Sequence, residues 1–129
     1  KRVTVINRSN VVGKPLSSML IQECDIYANA TATVCHDRTP SEMLKEICLQ
    51  SDIIVVAVGK PGFLTADFVK PGSVVIDVGI TRDGNQLVGD FDPKVIEVAT
   101  AFAPMPGGVG PMTRVMLLKN VIDLARNEK

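Results

Sequence analysis

Asp52-Ile53-Ile54-Val55-Val56-Ala57-Val58 is apolar at successive positions, with no polar residue at every second place. A strand with one wet face alternates, whereas a strand covered on both faces runs apolar throughout, as in parallel sheets packed between helices. Ser73-Val74-Val75-Ile76-Asp77-Val78 reads the same way. Two such strands set the class as α/β, and the sequence on either side of them can be tested against it.

Toward the N-terminus, Val3-Thr4-Val5-Ile6 is a short β-branched run followed by a polar turn, Asn7 to Asn10. Pro15 suits the first turn of a helix, and Leu16, Met19, Leu20 and Cys24 recur at helical spacing until a loop at Asp25 to Asn29. Ala32 to Cys35 is the next strand. Thr39-Pro40-Ser41-Glu42 then reads as a capping box with Pro in the first helical position, and Met43, Leu44, Ile47 and Cys48 form the buried face of that helix. Toward the C-terminus, Gly59-Lys60-Pro61-Gly62 must be a loop, and Thr65 to Val69 has room for one helical turn. Asp83-Gly84-Asn85 turns a small excursion, Thr81 to Val88, at the sheet's edge. A helix is expected over Asp92 to Ala99, a last strand at Ala101-Phe102-Ala103, a Pro/Gly segment from Pro104 to Pro111, and a long helix from Thr113 to Asn127. The apolar residues of that helix, from Val115 to Ala125, cover more than one stripe and predict burial on two sides. Strands alternating with helices predict a Rossmann-like doubly wound parallel sheet, three-layered α/β/α, with right-handed crossovers.

The 129 residues, 46% of them hydrophobic, suit one domain over 1–129. Lys+Arg and Asp+Glu are 14 each, so no net field favours nucleic acid or an anionic membrane surface. The longest apolar run, Ile53 to Val58, falls far short of the roughly 20 residues of a membrane span. Cys24, Cys35 and Cys48 have no C-x-x-C spacing and sit in apolar patterns. They read as buried thiols of a reducing compartment, with no metal site expected. That favours the cytoplasm, with the mitochondrion left open. The first residue is not Met and the chain enters at once into a strand, so it is expected to be a part of a longer protein.

Ligands of doubly wound sheets lie beyond the carboxyl ends of the strands. That rule selects Asn7 to Gly13, His36 to Thr39, Val58 to Gly62 and Asp77 to Arg82. Asn7-Arg8-Ser9-Asn10-Val11-Val12-Gly13 stands where a dinucleotide fingerprint would, without being G-x-G-x-x-G. Backbone donors and the helix N-terminus there could hold a pyrophosphate, with the Ser9 hydroxyl as a further donor and Gly13 allowing close packing of helix on sheet. Arg8 suits a phosphate, a 2′-phosphate included. Asp37 follows the second strand, where a carboxylate accepts from the ribose diol of NAD. Arg38 and Arg8 favour NADP instead, so the residues leave the two cofactors open. His36 is given a structural role and no catalytic one. In Pro104-Met105-Pro106-Gly107-Gly108-Val109-Gly110-Pro111-Met112-Thr113, glycines and prolines forbid regular structure and suggest that flat ligand atoms approach the backbone.

In this order, NRSNVVGKP, TVCHDRT, VAVGKPG, VVIDVGI and PMPGGVGPMT closely resemble the cofactor domain of the bifunctional methylenetetrahydrofolate dehydrogenase/cyclohydrolases, over the whole chain. The resemblance implies NADP, with NAD as the alternative, held by Asn7, Arg8 and Ser9, with Ile80 as a backbone contact to the nicotinamide end; Gly13, Asp37, Arg38 and Gly59 join them as cofactor candidates by their position after the strands. It implies that Pro106, Gly107, Gly108, Val109 and Gly110 line the tetrahydrofolate site. It also implies two reactions, hydride transfer from 5,10-methylenetetrahydrofolate and hydrolysis of the methenyl product to 10-formyltetrahydrofolate, and a homodimer. Both reactions use a Tyr-x-x-x-Lys pair in an N-terminal catalytic domain. That pair is absent here, since the only tyrosine, Tyr27, has Thr31 four positions on. Two positions depart from the family pattern: Asn7 stands where glycine is usual, and Asp37 where serine is common. A stand-alone nucleotide-binding regulatory module and the cofactor domain of another dehydrogenase are the alternatives. The PGGVGPMT segment is the feature that discriminates against both.

Overall fold

The computed structural model describes residues 1–24 and 28–127. In chain order the elements are β1 (Arg2–Ile6), α1 (Gly13–Leu20), β2 (Thr31–Cys35), α2 (Ser41–Gln50), β3 (Ile53–Val56), β4 (Val74–Asp77), β5 (Thr81–Asp83), β6 (Gln86–Val88), β7 (Ala101–Ala103) and α3 (Val109–Asn127). Short 3-10 segments lie at Ala66–Phe68 and Pro93–Glu97. Five strands form one parallel sheet in the order β2-β1-β3-β4-β7, and β5 and β6 make a separate antiparallel hairpin.

The absence of alternation in β1, β3 and β4 follows from cover on both faces. Val3, Val5 and Val55 point to one side and pack under Leu16 and Leu20 of α1. Ile6, Ile54, Val56 and Val75 point to the other, against Leu44 and Cys48 of α2, Leu64 and Val95. Burial of each large side chain stabilises by about 1.5–3 kcal/mol, so both halves of the period are worth filling with Val and Ile. Thr4, a polar residue of β1, is buried on the α2 side with its hydroxyl 2.6 Å from that of Ser51.

Connectivity places the cleft. α1 joins β1 to its neighbour β2 over one face, and α2 carries the chain back past β1 to β3 over the other. The loops leaving β1 and β3 therefore diverge, opening the sheet's switch point at the carboxyl ends of the strands.

Several local expectations are corrected. Thr39 does not cap α2: its hydroxyl accepts the His36 N–H at 3.0 Å, closing a turn, and the helix starts at Ser41 after Pro40 with no side-chain cap. In α2, Leu44 and Cys48 are buried but Met43 is exposed. The first helix ends at Leu20, so Cys24 lies beyond it and is half-buried, and Met19 is exposed. The expected helix over Asp92 to Ala99 shrinks to a 3-10 segment, although Asp92 does cap it by accepting the Lys94 N–H at 2.8 Å. The last helix starts at Val109, four residues early, because Pro111 falls in its first turn, where a missing N–H is harmless. Within this chain its expected burial on two sides is not seen. Val115, Leu117, Leu118, Val121, Ile122 and Leu124 are all exposed, with no described element over them. Tyr27 and part of the expected Asp25 to Asn29 loop lie outside the described residues.

Candidate cofactor site

The cleft of about 290 Å³ at the switch point is lined by Asn7, Arg8 and Ser9 from the β1 loop, His36 and Asp37 from the β2 loop, and Ala57 and Val58 after β3. Asn7 organises the first of these. Its Oδ1 accepts the Ser9 and Gly13 N–H groups, each at 2.8 Å, and its Nδ2 donates to the Ala57 carbonyl of the neighbouring loop. Asn7 does not have a positive φ. A side chain thus shapes this turn. Ser9 Oγ accepts the Val12 N–H at 3.0 Å, so its hydroxyl hydrogen is what it can offer a ligand. The expectation of free backbone donors is narrowed accordingly: the Ser9, Val12, Gly13 and Lys14 amides are engaged within the loop, and those of Asn10 and Val11 have no partner among the described residues. At Gly13 a Cβ would lie 2.1 Å from the Asn7 carbonyl oxygen, so no side chain fits between the start of α1 and the loop after β1.

Asp37 sits among three cations. Arg8 approaches it at 3.8 Å, Arg38 at 3.8 Å and Lys60 at 3.5 Å, with all four side chains partly or largely in water. Pairs so long and so exposed contribute about 0–1 kcal/mol each, so the cations can be taken up by a better anion. His36 shapes the turn as an acceptor: its Nδ1 takes the Arg38 N–H at 3.2 Å.

Behind the cleft lies a pair of buried carboxylates, Asp77, at the start of a segment that position after a strand selected, and Asp90, which the sequence did not mark. Asp90 accepts the amides of Val58 at 2.5 Å, Gly59 at 2.9 Å and Lys60 at 2.8 Å. With Gly59 at φ +68, these successive amides form a concave nest of the kind that binds anions, here filled by the chain's own carboxylate. The Gly59 amide is therefore committed inward. Asp77, at the end of β4, accepts the N–H groups of Asp90 at 2.7 Å, Phe91 at 2.9 Å and Gly79 at 2.9 Å. Burial holds the Asp77 carboxyl above its usual range, with the three amides opposing only in part. Each carboxylate lies over the other's glycine. A Cβ at Gly79 would stand 2.1 Å from the Asp90 carboxylate, and one at Gly89 2.2 Å from that of Asp77. Asp77 is thus buried, with its carboxylate engaged by backbone amides. The signal present in the sequence was a glycine two residues after one aspartate and another just before the second.

Ile80 follows β4 and is exposed, at the same end of the sheet. The Pro104 to Gly110 segment leaves β7 at this end too, with Met105 against Gly89. Gly107 takes φ +99, and the Gly108 amide donates to the Pro104 carbonyl at 2.9 Å. A Cβ at Gly108 would lie 2.5 Å from that carbonyl, while one at Gly110 would meet nothing within 4 Å. Two of the three glycines are thus explained by the turn itself. Among the described residues no group of three or more His, Cys, Asp or Glu side chains could hold a metal ion, and no helix is long and apolar enough to cross a membrane. Cys35 and Cys48 are buried, and burial raises both thiols, that of Cys48 to about 12.

Residues 1–129 match the family described as tetrahydrofolate dehydrogenase/cyclohydrolase, NAD(P)-binding domain. The chain is 54% identical over 129 residues to the bifunctional protein FolD of Campylobacter hominis, covering 98% of this chain and 43% of that protein. It is 54% identical over 125 residues to that of Caldicellulosiruptor saccharolyticus, with 95% and 42% covered. Among solved structures it superposes on the 5,10-methylenetetrahydrofolate dehydrogenase of the silkworm Bombyx mori with a TM-score of 0.88 at 43% identity, covering 98% of this chain and 44% of that one. The methylenetetrahydrofolate dehydrogenase-cyclohydrolase of Trypanosoma brucei, solved with NADP and an inhibitor, gives 0.85 at 38% identity, covering 99% and 44%. The chain thus spans less than half the length of the relatives it matches. A switch-point cleft ringed by cations, on a parallel sheet that superposes so closely at this level of identity, places the chain in the tetrahydrofolate dehydrogenase/cyclohydrolase family, as its NAD(P)-binding domain.

Proposed function

We propose that this chain is the cofactor half of an enzyme that oxidises 5,10-methylenetetrahydrofolate to methenyltetrahydrofolate with NADP and hydrolyses the product to 10-formyltetrahydrofolate. The observation that carries the reading is the convergence of Arg8, Ser9 and Asp37 on one cleft at the switch point, with Arg38 paired to Asp37. The fit to a dinucleotide rests on this chain's own groups: cations for phosphate, the loop after β1 at the start of α1, and a Gly13 that lets helix and sheet close together. When bound, the nicotinamide supplies the hydride acceptor. Asn7 shapes the phosphate loop, Arg8 and Arg38 bind phosphate, Gly59 turns the β3 loop, and Ile80 lies toward the nicotinamide end. Pro106, Gly107, Gly108, Val109 and Gly110 present backbone to the folate, so this half contributes orientation rather than proton transfer. The folate-binding half and its acid–base pair belong to the remaining length seen in the relatives, and a homodimer is part of the same reading.

The test compares the 129-residue chain with the full-length protein. Calorimetry should show dinucleotide binding by both, and spectrophotometry should show methylenetetrahydrofolate oxidation by the full-length protein only. Arg8→Ala should weaken NADP more than NAD, by on the order of tenfold for one charged contact. Turnover by the 129-residue chain, or failure of both forms to bind either dinucleotide, would overturn the reading.

A further inference from the structure

Lys60 lies in the Val58 to Gly62 segment that position after a strand selects, and its main chain is held in place. Its N–H is fixed by Asp90 at 2.8 Å, in a run of three amides gripping one buried carboxylate, and Gly59 turns the chain just before it. β3 and β2 are separated in the sheet by β1. A side chain that leaves the β3 loop and ends 3.5 Å from Asp37 on the β2 loop must therefore span the cleft mouth above the Asn7 to Ser9 loop. An ordinary surface lysine on a loose loop would have no such fixed origin.

The charges around Asp37 make the reach meaningful. Arg8, Arg38 and Lys60 against one carboxylate leave the cluster two positive charges in excess. A phosphomonoester at neutral pH carries about −1.5 to −2, which this excess matches. Without Lys60 the excess halves, and Asp37 faces an incoming phosphate with one cation fewer. A ribose without a 2′-phosphate brings no anion to the cluster and would lose little. Resting on the assignment of this cleft to a dinucleotide, we propose that Lys60 is a specificity-determining residue. Held in place by Asp90, it completes a three-cation set around Asp37 that selects the 2′-phosphate of NADP over the free ribose of NAD.

The experiment is calorimetric titration of the full-length protein and its Lys60→Met and Lys60→Arg variants with NADP, NAD, adenosine 2′,5′-bisphosphate and AMP. Lys60→Met should weaken NADP and the bisphosphate by on the order of tenfold. NAD and AMP should change by no more than about twofold. The NADP loss should shrink as salt is raised, because the contact is exposed to screening. Lys60→Arg should keep most of the preference. Lys45→Met, which removes a cation paired with Asp67 outside the cleft, should change none of these values. Equal losses for NADP and NAD in Lys60→Met, or an unaltered NADP preference, would overturn the proposal and leave Lys60 as a counter-ion of Asp37. Wild-type protein that binds NAD as tightly as NADP would overturn it while the cofactor reading stood. Binding of neither dinucleotide would overturn both.

Discussion

Asp90 has three amide N–H groups as partners in the β3 loop, so its charge is balanced by dipoles. Asp90→Ala would strand three half-buried donors and should cost about 3 kcal/mol or more, since each unmet group costs about 1–3 kcal/mol. Asp90→Asn keeps one acceptor oxygen but turns an NH2 group toward donors, and should cost less. Urea unfolding of the two variants reads this. An unfolding midpoint unchanged by Asp90→Ala would show that water serves those amides equally well. Position after a strand was enough to mark Asn7, Arg8, Asp37 and Arg38 in the sequence; the structure lines one cleft with the first three and sets Arg38 3.8 Å from the Asp37 carboxylate. Position selected the Val58 to Gly62 segment without singling out Lys60, and could not mark Asp90, whose bond to the Lys60 amide spans 30 residues that no local spacing encodes. Nor could it show that Asn7 spends its side chain on the Ser9 and Gly13 amides, since a side-chain acceptor and a backbone turn look alike in sequence.

The segment between β7 and α3 separates two uses of glycine. Gly108→Ala would drive a Cβ to 2.5 Å from the Pro104 carbonyl oxygen. Such overpacking costs about 1–3 kcal/mol, so this variant reports on the turn rather than on any ligand. Gly110 lies inside α3 with open space around it, where alanine favours the helix by about 0.5–1 kcal/mol. If folate backs onto this element, Gly110→Ala in the full-length protein should raise KM for methylenetetrahydrofolate several-fold at unchanged dinucleotide affinity and undiminished thermal stability. An unchanged KM would reduce the residue to a helix start. At this scale the sequence was most legible where burial dictates composition, as in β1, β3 and β4. It was least legible at element ends. The Thr39 hydroxyl had two turns to choose from and closed the one at His36, and the proline-rich run hid a helix start because Pro111 is tolerated in a first turn.

For the molecule as a whole, α3 is the discordant part. From Gly110 to Arg126 its residues are exposed apart from Asp123, and the exposed side chains include Val115, Met116, Leu117, Leu118, Val121, Ile122 and Leu124. A contiguous apolar surface of this kind associates unless covered. Light scattering should therefore show the 129-residue chain self-associating despite its balanced charge, and the full-length protein doing so much less; a monodisperse short chain at high concentration would refute this. The neck made by Asp77, Gly79, Gly89 and Asp90 bears on how such a molecule can change over generations. Everything between those residues, the β5–β6 hairpin included, is tied off at its base by hydrogen bonds that do not depend on what the hairpin contains. Lineages can lengthen, trim or redecorate residues 81–88 at little risk, as exposed loop tips allow. The four neck residues have no such liberty: a methyl group on either glycine evicts the opposite carboxylate, so they must be inherited as a set.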